Sequence, residues 1–209
     1  KWFGDSKVVD EQGKPLVVYH GSPNKDFNVF DTFTSNVSGS NAEREHGAFF
    51  FSADPKTADV YIYPEGDYGS NNYGEVRPFY LSLAKPFYFK DKTGGLLDFQ
   101  SKVKVDDFIE KTAKRLGLEP ENYTIGTNKE MYVFDVVNNY PEISDMLRES
   151  GYDGFIFNEF DSTNYAVFSP TQIKSIYNQG TFDSDNPDIN YQQDWRERRR
   201  AAIEKEKAA

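Results

Sequence analysis

Short runs of aromatic and β-branched residues recur in the first and last parts of the chain. Such residues favour strands, because branched and flat side chains pack well on a pleated surface. The early runs cover residues 14–19, 48–52 and 77–83. After residue 151 a second series covers 152–157, 165–168 and 173–176. The polar turn at 161–163 predicts that the first two strands of this series pair antiparallel.

Helical signals lie mainly in the centre of the chain. Asp54 followed by Pro55 places an N-cap residue before a proline suited to the first helical position, so a helix is predicted to begin there, with Tyr61 two turns in. Residues 105–118 carry apolar side chains at helical spacing and end at Gly117. A further helix over 140–150 is predicted to close at Gly151, and between the two the stretch 131–137 favours helix.

The pattern predicts an α+β domain over residues 1–193 with a helical insertion at about 98–150. The stretches 35–41 and 64–74 are rich in Gly, Ser, Asn and Asp, which predicts loops that could border a ligand cleft. Residues 194–209 form a charge-dense tail that contains an arginine cluster. A solvated linker helix is favoured for this tail over a nucleic-acid-binding patch.

The composition excludes several kinds of site. The 209 residues can bury a sizeable core, and the absence of cysteine excludes disulfides, thiolate zinc sites and cysteine nucleophiles. The two histidines, His20 and His46, cannot supply a three-imidazole metal site. A carboxylate-rich metal site stays possible in principle, but we expect no metal.

The net charge of -10 repels polyanions at long range, so a protein partner is favoured over a nucleic acid, with a local basic groove as the alternative. The sequence holds no run of about 18 apolar residues that could enter a membrane. We therefore expect a soluble protein that acts in the cytoplasm.

A small polar cluster follows the first predicted strand, where His20 is succeeded by Gly21 and Ser22. A lone histidine after a strand is more often structural than functional. Its neighbours favour a functional interpretation, because a glycine lets a ligand approach the backbone and a serine hydroxyl lies beside the imidazole. The combination suits recognition of a ribose or a carboxamide.

Three consecutive phenylalanines, Phe49 to Phe51, form a second candidate. Side chains alternate between the faces of a strand, so at least one of the three must belong to the core. Phe50 and Tyr61 could then present flat rings to a heteroaromatic ligand, although core packing is the commoner fate. Stacking of a base on such a ring is worth about 1–3 kcal/mol.

Three segments together resemble, in order, the motifs of the His-Tyr-Glu class of ADP-ribosyltransferases, which includes diphtheria toxin and the poly(ADP-ribose) polymerases. They are residues 20–22, residues 47–52 followed by 58–61, and residues 165–173. The closer resemblance is to the subfamily found in polyvalent proteins of phages and mobile elements. Its members typically have a tryptophan-containing lead, as in residues 2–10, and a Gly-Tyr-Asp-Gly strand, as in 151–154.

This resemblance implies split, strongly bent antiparallel sheets with NAD as co-substrate in the cleft between them. His20 would bond the adenosine-side ribose, and the backbone of Gly21 would hold the nicotinamide amide. Phe50 occupies the place of the motif tyrosine and Tyr61 that of a second stacking ring. Ser22 and Ser52 complete the expected NAD-binding set.

The third motif departs from the family pattern. Where the polymerases have a glutamate before the strand, this chain has Asn164, which can orient a ribose hydroxyl but carries no negative charge. A nearby carboxylate is expected to stabilise the positive charge that develops on the ribose. Glu159 is favoured for this role, and Asp161 is the alternative. The interpretation that both residues are ordinary solvated acids of the turn has about equal weight. Gln172 supports the site by hydrogen bonding or has a structural role at the strand start.

The resemblance therefore implies a mono-ADP-ribosyltransferase that modifies a macromolecule, as a phage, mobile-element or bacterial effector. Two alternatives stay open. One is a catalytically weak module that binds NAD or ADP-ribose, which the change to Asn164 would explain. The other is an NAD glycohydrolase, in which water is the acceptor.

Overall fold

A computed structural model describes residues 2–30, 47–63, 73–178 and 185–190, together with the backbone of two very short strands between the first two ranges. The strands are β1 (Val18–Ser22), β2 (Phe33–Thr34), β3 (Arg44–Glu45), β4 (Phe49–Ser52), β5 (Glu75–Leu81), β6 (Pro86–Tyr88), β7 (Lys102–Lys104), β8 (Glu130–Tyr132), β9 (Gly154–Glu159), β10 (Ser162–Val167) and β11 (Ile173–Ser175). The helices are α1 (Pro55–Asp59), α2 (Val105–Leu116), α3 (Val133–Asn139) and α4 (Glu142–Glu149). Single 3-10 turns cover Pro120–Asn122 and Pro170–Gln172.

Seven strands form one sheet in the order β11-β5-β1-β4-β10-β9-β6. All of its pairings are antiparallel except that of β6 with β9. The structure thus confirms a mixed fold with a mostly antiparallel sheet and few helices. Two short ribbons, β2 with β3 and β7 with β8, lie outside this sheet.

The sheet is weakly joined at its centre. β1 pairs with β5 over five residues, whereas it pairs with β4 at one position, Tyr19 opposite Ser52. One half of the sheet therefore consists of β11, β5 and β1, and the other of β4, β10, β9 and β6. The resemblance implied split sheets, whereas the strands form a single hydrogen-bonded sheet whose two halves are joined by one residue pair.

Two hydrophobic clusters cover opposite faces of the sheet. Alternation along β9 shows the arrangement, since Phe155 and Phe157 pack with the first cluster and Ile156 with the second. The first, here called the helical core, contains the buried apolar residues of α2, α3 and α4. The second contains Val8 and Val18 from the start of the chain. Each face is thereby shielded from water by a different part of the sequence.

The predicted start of α1 and the predicted ends of α2 and α4 are confirmed. The Asp54 side chain accepts a hydrogen bond from the Lys56 N–H at the start of α1. Gly117 ends α2 in the left-handed conformation, with a φ of 74°. Gly151 follows α4 with a φ of 80°. These positive φ angles are the conformations that favour glycine after a helix.

Three expectations need correction. The strand predicted at 14–19 starts at Val18 and runs to Ser22, because Pro15 has no N–H to donate and makes an isolated bridge with Val9. His20 therefore lies within β1 rather than after it. The helix α1 ends at Asp59, so Tyr61 lies beyond it. The stretch 131–137 is divided between β8 and α3.

The predicted strand at 77–83 is β5, which lies two residues earlier, and the last predicted strand is β11, which pairs with β5. The predicted loop 35–41 and the tail 194–209 lie outside the described residues, as does most of the loop 64–74. The domain limits 1–193 and the view of 98–150 as an insertion stay predictions. No helix in the described part of the chain is long and apolar enough to cross a membrane.

Candidate functional site

A cavity opens where the two halves of the sheet meet. The empty volume of the cavity is about 480 Å³ when the open mouth is included. Its walls come from β1, β4, β9 and β10, from α1 and the residues after it, and from α3. The lining residues are Tyr19, His20, Gly21, Phe50, Phe51, Ser52, Thr57, Ala58, Tyr61, Phe134, Phe157, Glu159 and Asn164.

Glu159 is the acidic side chain in this lining. It is the last residue of β9 and is 3% exposed. Its Oε1 accepts hydrogen bonds from the Tyr61 hydroxyl at 2.8 Å and from Nε2 of Gln100 at 2.9 Å. Its Oε2 accepts a longer bond of 3.4 Å from Nδ2 of Asn164. All three neighbours donate, so they favour the ionised carboxylate.

Burial opposes these donors. It raises the pKa of Glu159 above the ordinary value, and the nearby charge of Asp98 adds to the rise, whereas the hydrogen bonds from Tyr61 and Gln100 lower it. A carboxyl group that is perturbed in this way inside a cavity is a candidate for chemistry.

The hairpin of β9 and β10 explains why Glu159 and Asn164 meet. Glu159 is paired with Ser162, and Asn164 with Phe157, so all four side chains lie on one face of the sheet. The turn between the strands holds Phe160 and Asp161 at φ angles of 48° and 60°. This tight connection brings a carboxylate on one strand next to the amide on the other.

Asn164 is 2% exposed and donates through Nδ2 to Glu159, both to Oε2 and, at 3.5 Å, to the main-chain carbonyl. Its Oδ1 is buried without a hydrogen-bond partner among the described residues. An unpaired buried amide oxygen costs about 1–3 kcal/mol, which a donor on a bound ligand would recover. The Asn164 side chain therefore has an acceptor to offer at the cavity wall.

His20 connects the two halves of the sheet. Its Nδ1 donates to the main-chain carbonyl of Phe50 on β4 at 2.8 Å. Because a carbonyl only accepts, this bond places the proton of a neutral imidazole on Nδ1 and makes Nε2 the acceptor nitrogen. The ring also packs against Phe30 at 4.9 Å and Phe51 at 5.3 Å between centroids. The imidazole is thus held in one orientation at the cavity.

Gly21 has a structural explanation that the sequence did not reveal. A Cβ at this position would lie 1.8 Å from the carbonyl oxygen of Ala58 in α1 and 3.3 Å from Cβ of Tyr61. The space predicted for a ligand on that side of Gly21 is therefore filled by α1. The absent side chain lets the helix approach β1 closely, which fixes where the chain continues to Tyr61.

Aromatic rings form one wall of the cavity. Phe49 and Phe51 are buried in the second cluster, while Phe50 lies on the opposite face, as the alternation predicted. The Phe134 ring from α3 lies 5.5 Å from that of Phe50 and 5.8 Å from that of Tyr61. Its plane is inclined by 32° to that of Tyr61. These rings offer flat apolar surface beside Glu159.

Three of the ten predicted site residues do not line the cavity: Ser22, Asp161 and Gln172. The Ser22 hydroxyl accepts from the N–H of Asn24, and Asp161 is exposed in the hairpin turn. Gln172 bonds four backbone groups, accepting from two N–H groups and donating to the carbonyls of Ser82 and Asp153 at 2.9 Å each. These bonds tie the turn before β11 to the chain at Ser82 and Asp153. Ser52 lines the cavity, and its hydroxyl is 3.0 Å from that of Ser162.

Gln100 and Phe134 were missed by the sequence analysis. Both lie in the segment predicted as an insertion, and Gln100 is separated from Glu159 by 59 positions. No local motif marks either residue, because their importance depends on long-range packing. Among the described residues no three His, Asp or Glu side chains are grouped to hold a metal ion.

Comparisons with known proteins come from three directions. Residues 10–182 match the family model described as ADP-ribosyltransferase in polyvalent proteins. No curated protein matches the chain. Among solved structures, the crystal structure of an anti-CRISPR protein matches at a TM-score of 0.34 and 11% identity, over 76% of this chain and 91% of the other. The family model covers most of the sequence, including the first strand, both halves of the sheet and every residue that lines the cavity. The chain belongs to the family of ADP-ribosyltransferases found in polyvalent proteins.

Proposed function

We propose that this domain is a mono-ADP-ribosyltransferase that cleaves NAD and transfers ADP-ribose to a macromolecule, with Glu159 as the catalytic carboxylate. Membership of the family indicates ADP-ribosyltransferase activity in general, and domains of this kind use NAD as co-substrate. The observation that carries the finer proposal is the position of Glu159. It is buried, is bonded by three donors and shares its cavity with His20 and Tyr61.

The reaction requires a negative charge near the ribose. The bond between ribose C1′ and the nicotinamide nitrogen breaks, and its electron pair leaves with the ring, so the cationic pyridinium departs as neutral nicotinamide. Positive charge develops on the ribose, while the acceptor forms a bond to C1′ and releases a proton. A carboxylate oriented beforehand stabilises this charge without having to reorganise.

The Glu159 carboxylate meets these requirements. Its Oε1 is occupied by the two short hydrogen bonds from Tyr61 and Gln100, and its Oε2 has the longer bond from Asn164. Oε2 is therefore the oxygen better able to contact a substrate. Asn164 would accept a bond from a ribose hydroxyl through Oδ1, while Glu159 supplies the charge that the asparagine lacks.

Binding of NAD would use the rest of the cavity. The rings of Phe50, Tyr61 and Phe134 suit a flat nicotinamide, and the fixed imidazole of His20 suits a ribose hydroxyl. Stacking on an aromatic ring contributes about 1–3 kcal/mol. The main chain of Gly21, which also lines the cavity, would bind the carboxamide.

The acceptor is proposed to be a protein. The net charge of -10 weakens long-range attraction to nucleic acid. The proposed setting is the cytoplasm of a bacterial host, where a phage or mobile-element effector would act.

Labelled NAD tests the proposal. The protein is incubated with NAD that carries a label on its adenylate part, together with a bacterial lysate, and the label in protein, in nucleic acid and in free ADP-ribose is measured beside released nicotinamide. Label in the protein fraction is expected. Free ADP-ribose alone would identify a glycohydrolase, and binding without nicotinamide release would identify a binding module.

Two variants separate the candidate carboxylates. Glu159→Gln keeps the size of the side chain and removes its charge, so nicotinamide release should fall at least about 100-fold, as when a preorganised charge-stabilising group is lost. Asp161→Asn makes the same change in the exposed turn two residues away, where asparagine tolerates the positive φ. It should keep the parent rate. An undiminished rate in Glu159→Gln would overturn the assignment.

A further inference from the structure

The chain just before β7 runs along the edge of β9. The N–H of Phe99 donates to the carbonyl of Asn158 at 2.8 Å, and the N–H of Asn158 donates to the carbonyl of Leu97 at 2.9 Å. Asp98 forms a parallel bridge with Asn158. These contacts attach the segment 97–99 to the residue that precedes Glu159.

The backbone of Gln100 is fixed on both sides. On one side Phe99 is fully buried, and its ring stacks on that of Phe157 with centroids 3.9 Å apart. Within the turn, Oδ1 of Asp98 accepts from the N–H of Gln100 at 2.9 Å, and the Asp98 carbonyl accepts from the N–H of Ser101. The Gln100 side chain therefore extends from a well-defined position towards Glu159.

Two donors converge on one oxygen of the carboxylate. Gln100 donates from one segment and Tyr61 from another, both to Oε1. Holding the same oxygen from two anchored segments restricts rotation of the carboxylate and turns Oε2 towards Asn164. Without Gln100 the carboxylate would keep one short hydrogen bond and gain rotational freedom.

We infer that Gln100 is a positioning residue for Glu159, which holds the carboxylate in its productive orientation and in its ionised form. This inference rests on the proposed function and deepens it, since it assigns a role at the same site to a residue outside the motifs. Gln100 acts through Glu159 and not on the substrate.

The groups around Glu159 make the role of Gln100 testable through the pH dependence of the carboxylate. Among the described residues, the titratable groups that act on Glu159 are Tyr61, through its hydrogen bond, and Asp98, through its charge. His20 lines the same cavity. The Gln100 donor lowers the pKa of Glu159, and the Asp98 carboxylate raises it. Removing the two groups one at a time should therefore shift the titration in opposite directions.

The experiment compares four variants of the whole chain. Gln100→Met keeps an unbranched side chain of similar length and removes the donors, while Gln100→Glu places a second carboxyl group beside Glu159. Asp98→Asn removes a charge and keeps an oxygen for the Gln100 N–H. Gln12→Met is the matched control, because it repeats the first change in an exposed turn before β1.

Loss of the donor is expected to lower kcat roughly 10- to 100-fold, the effect of one hydrogen bond to a charged group. The acid limb of kcat/KM should move to higher pH in Gln100→Met, further up in Gln100→Glu, and to lower pH in Asp98→Asn. The KM for NAD should change less than kcat. Gln12→Met should match the parent in all respects.

A second measurement needs no turnover. The ¹³C carboxyl signal of Glu159, assigned by its loss in Glu159→Gln, is followed by NMR against pH in the parent, in Gln100→Met and in Asp98→Asn. Its midpoint should rise in Gln100→Met and fall in Asp98→Asn. An unmoved midpoint in folded Gln100→Met would overturn the inference, whatever its rate.

The two proposals fail in different ways. A parent that releases no nicotinamide overturns the proposed function, and the NMR titration still decides whether Gln100 controls Glu159. If Glu159→Gln impairs nicotinamide release but Gln100→Met keeps the parent rate and the parent pH profile, only the positioning role is overturned. If Gln100→Met does not fold, Gln100→Glu decides by the same titration.

Discussion

The hydroxyl of Tyr61 donates a 2.8 Å hydrogen bond to Oε1 of Glu159, which joins the segment after α1 to the end of β9. The two positions are 98 residues apart in sequence. In the proposed reaction Tyr61 therefore has two roles, since its ring lies beside the nicotinamide and its hydroxyl orients the carboxylate. The two roles can be separated by substitution.

Tyr61→Phe keeps the ring and removes the donor. Because one hydrogen bond to a charged group contributes about 1.5–3 kcal/mol, kcat for nicotinamide release should fall roughly 10- to 100-fold. The affinity for NAD should change much less, since the stacking surface is retained. Steady-state kinetics and calorimetric titration with NAD measure the two effects.

Tyr63→Phe is the matched control, since Tyr63 lies two residues further along and does not line the cavity. It should keep both the rate and the affinity. If Tyr61→Phe lost NAD affinity and kept kcat, the hydroxyl would serve binding and not the orientation of Glu159.

Much of this site could be predicted because its parts are local in sequence. His20, Phe50 and Tyr61 each belong to a short motif, and strand alternation correctly placed Phe50 opposite its two neighbours. Helix ends were predictable for the same reason. Gly117 follows the last helical residue directly and adopts the left-handed conformation that the side chains of other residues disfavour.

The rest depends on contacts between distant segments. The donors to Glu159 come from positions 61, 100 and 164, and only folding reveals that they converge. Gly21 shows that a residue within a motif can also be misinterpreted from sequence. Its sequence position suggested room for a ligand, whereas a tightly packed helix occupies that space. A glycine in a motif thus indicates that another group packs closely against the backbone, but not whether that group is a ligand or a segment of the chain.

Phe134 tests whether the central segment contributes to NAD binding. Phe134→Leu keeps apolar volume but removes the flat ring, so the affinity for NAD should fall about 5- to 100-fold if the ring stacks on the ligand. Stability should fall by less than the roughly 3 kcal/mol of a truncation to alanine, because leucine retains most of the apolar volume. Calorimetric titration and urea unfolding measure both quantities.

The control for this variant is Leu116→Met, a similar apolar exchange at the end of α2, outside the cavity. It should leave NAD affinity unchanged. Equal affinities in the parent and Phe134→Leu would show that Phe134 only packs against the helical core.

The raised pKa of Glu159 predicts a pH-dependent stability difference. Because burial raises the pKa in the folded state, folding favours the protonated carboxyl group. This contribution to stability is complete below the unfolded-state pKa of about 4.3 and is lost as pH rises through the folded-state value. Glu159→Gln has no such proton to lose. The free energy of unfolding of this variant, minus that of the parent, should therefore rise between pH 4.3, roughly the unfolded-state pKa, and the folded-state pKa of Glu159.

Urea unfolding of the parent and Glu159→Gln between about pH 4 and pH 8 measures this difference. Glu130→Gln, an exposed glutamate in β8, corrects for the change in net charge. A difference between Glu159→Gln and the parent that stays constant with pH, or falls, would show that the carboxyl group is not held at a raised pKa.

Gly21→Ala tests whether the close approach of α1 to β1 supports the site. The new methyl group would meet the Ala58 carbonyl at 1.8 Å, so α1 must move. Overpacking of this kind costs about 1–3 kcal/mol in the free energy of unfolding. The shift should also displace Tyr61, whose Cβ lies 3.3 Å from the added atom, and so weaken its bond to Glu159. Unfolding in urea and nicotinamide release should both be impaired.

Gly95→Ala repeats the substitution in an exposed turn, where the nearest atom is a side-chain oxygen of Asp91 at 3.4 Å. It should leave stability and rate close to those of the parent. The comparison separates two explanations of Gly21. If Gly21→Ala keeps its stability but loses NAD affinity, the glycine is needed for the ligand. If it loses stability and rate together, the glycine is needed for the packing that carries Tyr61 to Glu159.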